Sequence, residues 1–483
     1  MSGFKRSLGI AFLTQYAEMA IQFVGLIILA RLISSTEVGI YSVAAFLMAL
    51  LHVFRDFGVG KYLVAEEHLT REKIRSAFGV GIMLAVGVAV LMYACRGPVA
   101  DFYNEPRIKD IVAVMALSFA ITPVGSLIVN IFRRNMEMRK VAIVRISSTV
   151  CHTAVSIVLA MLGYGAMSLA WANFASILAF GIVALMMRPA SIPLTPSFRN
   201  IGEILSFGSI SSLGSLAMVG GSNAPDVIIG KSISLAATGY FSRANGMVQM
   251  FRTMIGNAII PLVMPYFSQL RRENGDLRGA YHQAVAHLTG VAWPFFAVLA
   301  VLALPVTRTL YGPDWDTSVP VARLLCLSGA VSMLSMFAGE VMTAYGYNKA
   351  VTQLHLVIQP VRVAAILAAS PYGLQAVGWA LIGSECVALI VTSYLLSRTI
   401  KVDAAGVLAA TGKSALVTVC SIAGPAAIIF FWGDDGHFLL LTAAGGVAAL
   451  AGWFLGNIWT AHPIHAHLDD AKLWVLANVR RER

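Results

Sequence analysis

Charge is what this chain has least of. Aspartate, glutamate, lysine and arginine make up 12% of its 483 residues, against about 25% in soluble domains, while 58% are hydrophobic and the mean hydropathy is +0.76. That deficit excludes an ordinary soluble globular protein and places the chain in a bilayer. Cysteine is scarce too. Cys95, Cys151, Cys326, Cys386 and Cys420 fall in or beside apolar stretches with no CxxC pair, so they are expected as small buried side chains, neither a disulfide framework nor a thiolate metal centre.

Catalytic arrangements are missing as well. No serine, histidine and carboxylate set suggests nucleophilic catalysis and no long loop carries paired acids, so no catalytic residue is assigned. GVLAATGKS (406–414) imitates a phosphate loop, but five residues rather than four separate Gly406 from Gly412, and no strand precedes it. It reads as the start of a membrane span, and direct ATP use is disfavoured. His462, His465 and His467 could offer imidazoles to a metal, yet no carboxylate or cysteine stands at ligand spacing, and a surface tail without metal is expected. No cofactor is called for. The N-terminus lacks a small-residue cleavage site, so the first apolar run is expected to stay as an anchor.

What the chain does have is apolar runs that can each cross roughly 30 Å of hydrocarbon as a helix. Six lie near 10–30, 39–54, 77–95, 111–132, 141–163 and 165–187, and six more near 204–229, 235–267, 284–307, 319–347, 350–370 and 373–397. Two further runs lie near 414–432 and 437–459. Spanning strands would alternate over segments of about ten residues, which these continuous runs do not. The fold class is therefore all-α integral membrane, with about fourteen transmembrane helices.

The chain also repeats itself. Residues 30–44, ARLISSTEVGIYSVA, return as residues 230–244, GKSISLAATGYFSRA, with Ile33, Ser34, Gly39, Ser42 and Ala44 meeting Ile233, Ser234, Gly239, Ser242 and Ala244 at an offset of 200. A second block matches Tyr164, Gly165, Trp171, Ala172 and Ser176 to Tyr372, Gly373, Trp379, Ala380 and Ser384 at an offset of 208. Internal duplication of this kind builds many transporters. It divides the chain into a six-helix lobe (1–187), a proline-rich linker (188–203), a second six-helix lobe (204–400), and two additional helices with a tail (401–483). An even number of spans per repeat lets both copies enter the membrane in the same direction.

Lysine and arginine concentrate in alternate loops: Lys5 and Arg6, then Arg71, Lys73 and Arg75, then Arg133, Arg134, Arg139 and Lys140, and later Arg271, Arg272 and Arg398. The positive-inside rule puts both termini and the linker in the cytoplasm. The net charge of +11 mostly reports this bias, and a nucleic-acid partner is not implied.

Charges inside the spans carry the functional reading, because each costs about 2.5–3.5 kcal/mol at bilayer depth unless it is paired or lines a wet cavity. The cations are Arg145, Arg243, Arg252, Arg323 and Arg362, and the acids are Glu18, Asp226, Glu340 and Glu385. Five arginines against four acids leave a positive surplus. A cavity with that surplus suits an anion, and the planar guanidinium fork suits phosphate. The acids are expected as salt-bridge partners or as sites where a proton or sodium ion couples to transport. Pro123, Pro225, Pro261, Pro265, Pro294, Pro305 and Pro360 interrupt spans, as helices that bend during alternating access would require.

The motifs ARLISSTEVGIYSVA, FRDFGVGKYLVAEE, FYNEP, RRNMEMRK and DVIIGKSISLAATGYFSRA, in this order and spacing, resemble the Wzx-type polysaccharide flippases that export lipopolysaccharide and exopolysaccharide units. These are relatives of the multidrug and toxic compound extrusion (MATE) transporters and of the MurJ lipid II flippases. The resemblance implies a MATE-like fold whose two lobes enclose a central cavity opened alternately to each side. It implies a bacterial inner-membrane location and, as cargo, a polyprenyl-pyrophosphate-linked oligosaccharide moved to the periplasmic leaflet. Membrane lipids and other polysaccharide assembly proteins are the implied partners; coupling to a proton or sodium gradient rests on the embedded acids, with the ion left open. A lipid II-type flippase and an ion-coupled multidrug exporter are the alternatives on the same fold.

Overall fold

The structure, a computed structural model, describes residues 2–56, 59–190, 192–199, 201–432 and 436–465. Among them every regular element is helical. The chain forms α1 (Ser2–Leu32), α2 (Ser35–Asp56), α3 (Val59–Ala65), α4 (Arg71–Tyr103), α5 (Arg107–Arg134), α6 (Met138–Met161), α7 (Ala166–Met186), α8 (Ile201–Ser232) and α9 (Leu235–Arg272). It continues with α10 (Leu277–Val301), α11 (Ala303–Leu310), α12 (Val319–Ser332), α13 (Ala338–Ala344), α14 (Asn348–Ala369), α15 (Leu374–Thr399), α16 (Ala404–Trp432) and α17 (Phe438–Trp459).

Thirteen segments among the described residues are long and apolar enough to cross a membrane. The remaining expected span corresponds to α8, many of whose side chains lie outside the described residues. The tenth expected span is not one continuous α-helix: a 3-10 turn at Met333–Ser335 separates α12 from α13. Two serine hydroxyls donate to the backbone there, Ser332 to the Gly329 carbonyl (2.7 Å) and Ser335 to the Ser332 carbonyl (3.4 Å). The short helix α3 had no counterpart in the apolar pattern, and the expected run near 284–307 is divided between α10 and the short α11, so Pro305 lies in α11 rather than in the span.

The chain clusters into two compact units, 1–242 and 243–483, with α9 contributing to both. In the first, α4 packs on α5, α5 and α6 on α7, and α1 on α6. Ile40, Met92, Ile111, Met115 and Phe119 form its buried core. Glu37 in the first turn of α2 ties one end together: its Oε2 accepts the Ala166 N–H at the start of α7 (2.6 Å), and its Oε1 pairs with Arg107 at the start of α5. Arg107 also holds Glu105 (Nε to Oε1, 2.8 Å). At the other end the linker lies along α4, where Ser197 N–H donates to the Arg75 carbonyl (3.0 Å).

Two glycines permit the closest helix approach in this unit. A Cβ on Gly39 of α2 would stand 1.7 Å from the Leu235 carbonyl oxygen, and a Cβ on Gly239 of α9 would stand 1.9 Å from the Ser35 carbonyl oxygen. Only glycine fits either position.

In the second unit, α10 packs on α16 and α12, α15 on α12 and α14, and α16 on α17. The chain after α17 is not a surface tail at His462, which is 1% exposed. Ala461 (φ 45°) turns the backbone, and the absence of a side chain on Gly290 leaves room for the imidazole. Ile464 N–H donates to His462 Nδ1 (3.3 Å), so Nε2 carries the proton and donates to Ser414 Oγ (3.0 Å). Ser414 in turn donates to the Ala286 carbonyl (3.2 Å). His467 lies outside the described residues. The cysteines are less buried than expected: Cys326 is buried, Cys386 is exposed on α15, and the other three are intermediate.

Candidate functional site

The nine ionisable residues singled out in the spans separate into distinct groups. In the first unit, Glu18 of α1 is 5% exposed and receives Arg145 Nη2 from α6 at 2.5 Å. The same guanidinium nitrogen reaches Gln15 Oε1 at 3.5 Å. Glu18 Oε1 is buried without a hydrogen-bond partner, so the pair is only half satisfied. Pairing is what allows these charges at this depth, because a lone carboxylate there would be strongly disfavoured.

Asp226 of α8 has no such cation. Its Oδ1 is buried without a partner, and its own carbonyl oxygen lies 3.4 Å from the Thr238 hydroxyl. Next to it, the Val227 carbonyl accepts the Tyr103 hydroxyl (3.3 Å) from α4.

In the second unit, Arg362 of α14 donates Nη2 to Glu385 Oε1 of α15, and Arg252 of α9 is near enough to feel both charges. One guanidinium thus binds the carboxylate and a second lies within electrostatic range of the pair. Arg362 Nε is buried with no partner, and one turn before it Gln359 Oε1 is buried and unpartnered as well. The group carries a net positive charge and a spare N–H donor, Arg362 Nε, which suit an anionic oxygen, while the unpartnered Gln359 Oε1 is an acceptor and suits a neighbouring hydroxyl donor. Gln359 was not among the sequence candidates; its position three residues before Arg362 on one helix face was the available signal.

The other candidates stand elsewhere. Arg243, 8% exposed, is nine residues before Arg252 on α9, roughly 13 Å along the helix axis; its guanidinium lies over the Trp315 ring, and Tyr311 stands near enough to act on its charge. Arg323 on α12 is exposed. Glu340 in the first turn of α13 is half-buried beside Tyr281. Among the described residues no three histidine, cysteine or acidic side chains gather in a way that could hold a metal ion.

Solved structures share this fold. The lipid II flippase MurJ in an inward closed conformation superposes with a TM-score of 0.74, at 12% identity, covering 94% of this chain and 99% of that one. An inward-facing MATE multidrug transporter superposes with a TM-score of 0.62, at 16% identity, covering 79% and 94%. The fold is therefore that of the MATE-like multi-pass membrane transporters. In sequence the chain is similar to the succinoglycan biosynthesis transport protein ExoT of Rhizobium meliloti, 25% identical over 68% of this chain and 66% of ExoT. It is also similar to the lipopolysaccharide biosynthesis protein WzxC of Escherichia coli, 19% identical over 66% of this chain and 65% of WzxC. The match thus spans about two thirds of the length of these relatives. A family model described as "Polysaccharide biosynthesis protein" matches residues 28–320, more than half of the chain, and the chain belongs to that family.

Proposed function

We propose that the chain is a flippase that carries polyprenyl-pyrophosphate-linked oligosaccharide units across the bacterial inner membrane, with both termini cytoplasmic, for exopolysaccharide, O-antigen or capsule synthesis. The observation that carries this reading is the surplus of positive charge in the membrane-embedded part of the second unit, where Arg362 binds the acid Glu385 and Arg252 lies within electrostatic range of both. A pyrophosphate headgroup would neutralise that surplus, and a guanidinium fork can donate two hydrogen bonds to its oxygens. A cationic drug would meet repulsion at the same place. The names of the relatives, a succinoglycan transport protein and a lipopolysaccharide biosynthesis protein, agree with this cargo.

Coupling to a proton or sodium gradient belongs to the same reading. Glu18 and Glu385 are engaged by arginines, which leaves Asp226, with its unpartnered Oδ1, and Glu340 as the acids able to take up a cation. An ion biases the two cavity states only by binding one more tightly than the other.

Flipping of a fluorescent polyprenyl-pyrophosphate oligosaccharide in proteoliposomes tests the proposal. Arg252→Ala leaves the Arg362–Glu385 pair intact and is expected to slow flipping at least tenfold at unchanged protein yield. Arg362→Lys is expected to be partly active, since it keeps charge but loses the fork. Export of cationic dyes without lipid movement would replace this reading with a multidrug exporter.

A further inference from the structure

Arg243 is the only arginine or lysine among the described residues whose whole side chain is buried, at 8% exposure. Unlike Arg145 and Arg362, it has no carboxylate. Its Nε is buried without a hydrogen-bond partner, and the group its guanidinium meets is the face of Trp315, with 5.4 Å from Cζ to the ring centroid.

The local chain explains why no acid reaches it. After α11, Gly312 (φ 98°) turns the backbone into the 3-10 segment Pro313–Ser318, which places Tyr311 and Trp315 beside one another with ring centroids 6.2 Å apart. Both rings are 2% exposed. The acid next in sequence, Asp316, is consumed by Arg308, whose Nε lies 3.0 Å from both carboxylate oxygens and whose Nη2 lies 2.7 Å from Oδ2. Asp314 faces solvent. Two more hydroxyls are buried without partners, Tyr311 Oη and, one turn earlier on the same face of α11, Thr307 Oγ1. Burial pushes the Tyr311 hydroxyl up to about 12, so it keeps its proton. Arg243 Nε, Tyr311 Oη and Thr307 Oγ1 can all donate, and none of them has an acceptor.

We infer that Trp315 and Tyr311 form an aromatic clamp that positions Arg243 as an uncompensated cation, so that its charge is answered by an anionic oxygen of the transported molecule. Trp315 is the positioning residue: a ring face attracts a guanidinium without occupying its N–H donors, whereas a carboxylate would both neutralise the charge and fill the donors. This rests on the transport reading above. It extends that reading because the roughly 13 Å between Arg243 and Arg252 makes Arg243 a second anion contact, apart from the Arg252 and Arg362 group. The shared chemistry is a phosphate or carboxylate oxygen. It comes either from the pyrophosphate at another stage of its passage or from an acidic sugar of the oligosaccharide.

Initial flipping rates are measured against lipid concentration for two probes, a polyprenyl-pyrophosphate oligosaccharide of neutral sugars and one carrying a uronic acid. Binding of the same probes to detergent-solubilised protein is measured in parallel. Trp315→Leu is expected to raise KM and Kd about tenfold with the maximal rate within about twofold of the parent. Trp315→Phe, which keeps a ring face, is expected to restore most of the affinity, and Tyr311→Phe removes one donor with the ring retained. In an Arg243→Ala background, Trp315→Leu is expected to add nothing. An effect confined to the uronic acid probe assigns the anion to the sugar, and an equal effect on both assigns it to the pyrophosphate. Multiplicative loss in the double variant, or a lowered maximal rate with unchanged KM, overturns the clamp. An intact protein that binds neither probe overturns both the clamp and the transport reading. Binding that depends on Trp315 without any flipping keeps the clamp and removes the transport reading.

Discussion

Ser42 of α2 and Ser242 of α9, 200 positions apart, share a hydrogen bond between their hydroxyls at 3.2 Å. One turn away, Gly39 and Gly239 lie against the carbonyls of Leu235 and Ser35, again partners at an offset of 200. The offset at which the sequence repeats is therefore the offset at which the two helices touch. Gly39→Ala and Gly239→Ala are expected to destabilise the protein by similar amounts, about 1–3 kcal/mol each, because the added methyl meets backbone that cannot rotate away. Gly87 of α4 faces open space, with nothing within 4 Å of where a Cβ would stand, so Gly87→Ala is expected to be neutral or stabilising by up to about 1 kcal/mol. Apparent melting temperatures in detergent separate the three variants.

Removing one member of a membrane-embedded pair strands the other. Arg145→Ala leaves Glu18, 5% exposed, without its cation, and is expected to cost about 3 kcal/mol and to lower yield. Glu18→Gln, which removes the charge and keeps the shape, is expected to cost less than Arg145→Ala. Equal losses in the two variants would show that the carboxylate charge is not what the pair protects.

Glu37 does two jobs that alanine cannot do, capping α7 through Ala166 N–H and holding Arg107. Glu37→Ala is expected to cost about 1–2 kcal/mol, in the range of a lost helix cap. Glu37→Gln can keep the cap through its amide oxygen and is expected to recover about half. Limited proteolysis at the α6–α7 turn provides a local readout.

The sequence made the spans legible because an apolar run of membrane length has few other uses, and it marked Gly39 and Gly239 as equivalent because they recur at the offset of 200. Charge pairing was less legible. Arg145 and Glu18 are 127 residues apart, and which acid an arginine meets depends on which helices are neighbours, a fact that hydropathy does not contain. Trp315 was invisible because it lies just past a break between helices, where periodicity carries no signal. His462 was misplaced because its pocket is made by an absent side chain, that of Gly290, and by the Ser414 hydroxyl on another helix.

His462 predicts a pH dependence. Burial and the nearby charges of His287 and Lys413 bring its value down to about 4, against about 6.5 in an unfolded chain. The folded state prefers the neutral ring, whose Nδ1 must accept the Ile464 N–H. The stability it contributes is therefore complete above pH 6.5 and is lost as the pH falls toward 4, a window worth up to about 3 kcal/mol. His462→Gln is expected to be less stable than the parent at pH 7.5 and to show a flatter decline between pH 6.5 and 4. Melting curves of both proteins across that range check the sign: a parent that gains stability on acidification in this window contradicts a buried neutral ring.

Asp226 provides the test of coupling. Asn at this position keeps the volume and loses the carboxylate, so a proton or sodium ion can no longer be taken up there. The neighbouring Tyr103 to Val227 bond uses a backbone carbonyl and does not depend on the Asp226 side chain. Asp226→Asn is thus expected to fold normally, to move lipid at the parent rate with no gradient imposed, and to lose the acceleration that a proton or sodium gradient gives the parent. The removal of a buried, unpartnered acid also predicts equal or higher thermal stability, since no ion pair is broken. A variant that keeps its gradient response transfers the coupling role to Glu340, and the same comparison with Glu340→Gln then identifies the acid. A variant that is slow even without a gradient makes Asp226 part of the transport path itself, because only a residue that acts outside the coupling step would limit movement when there is nothing to couple.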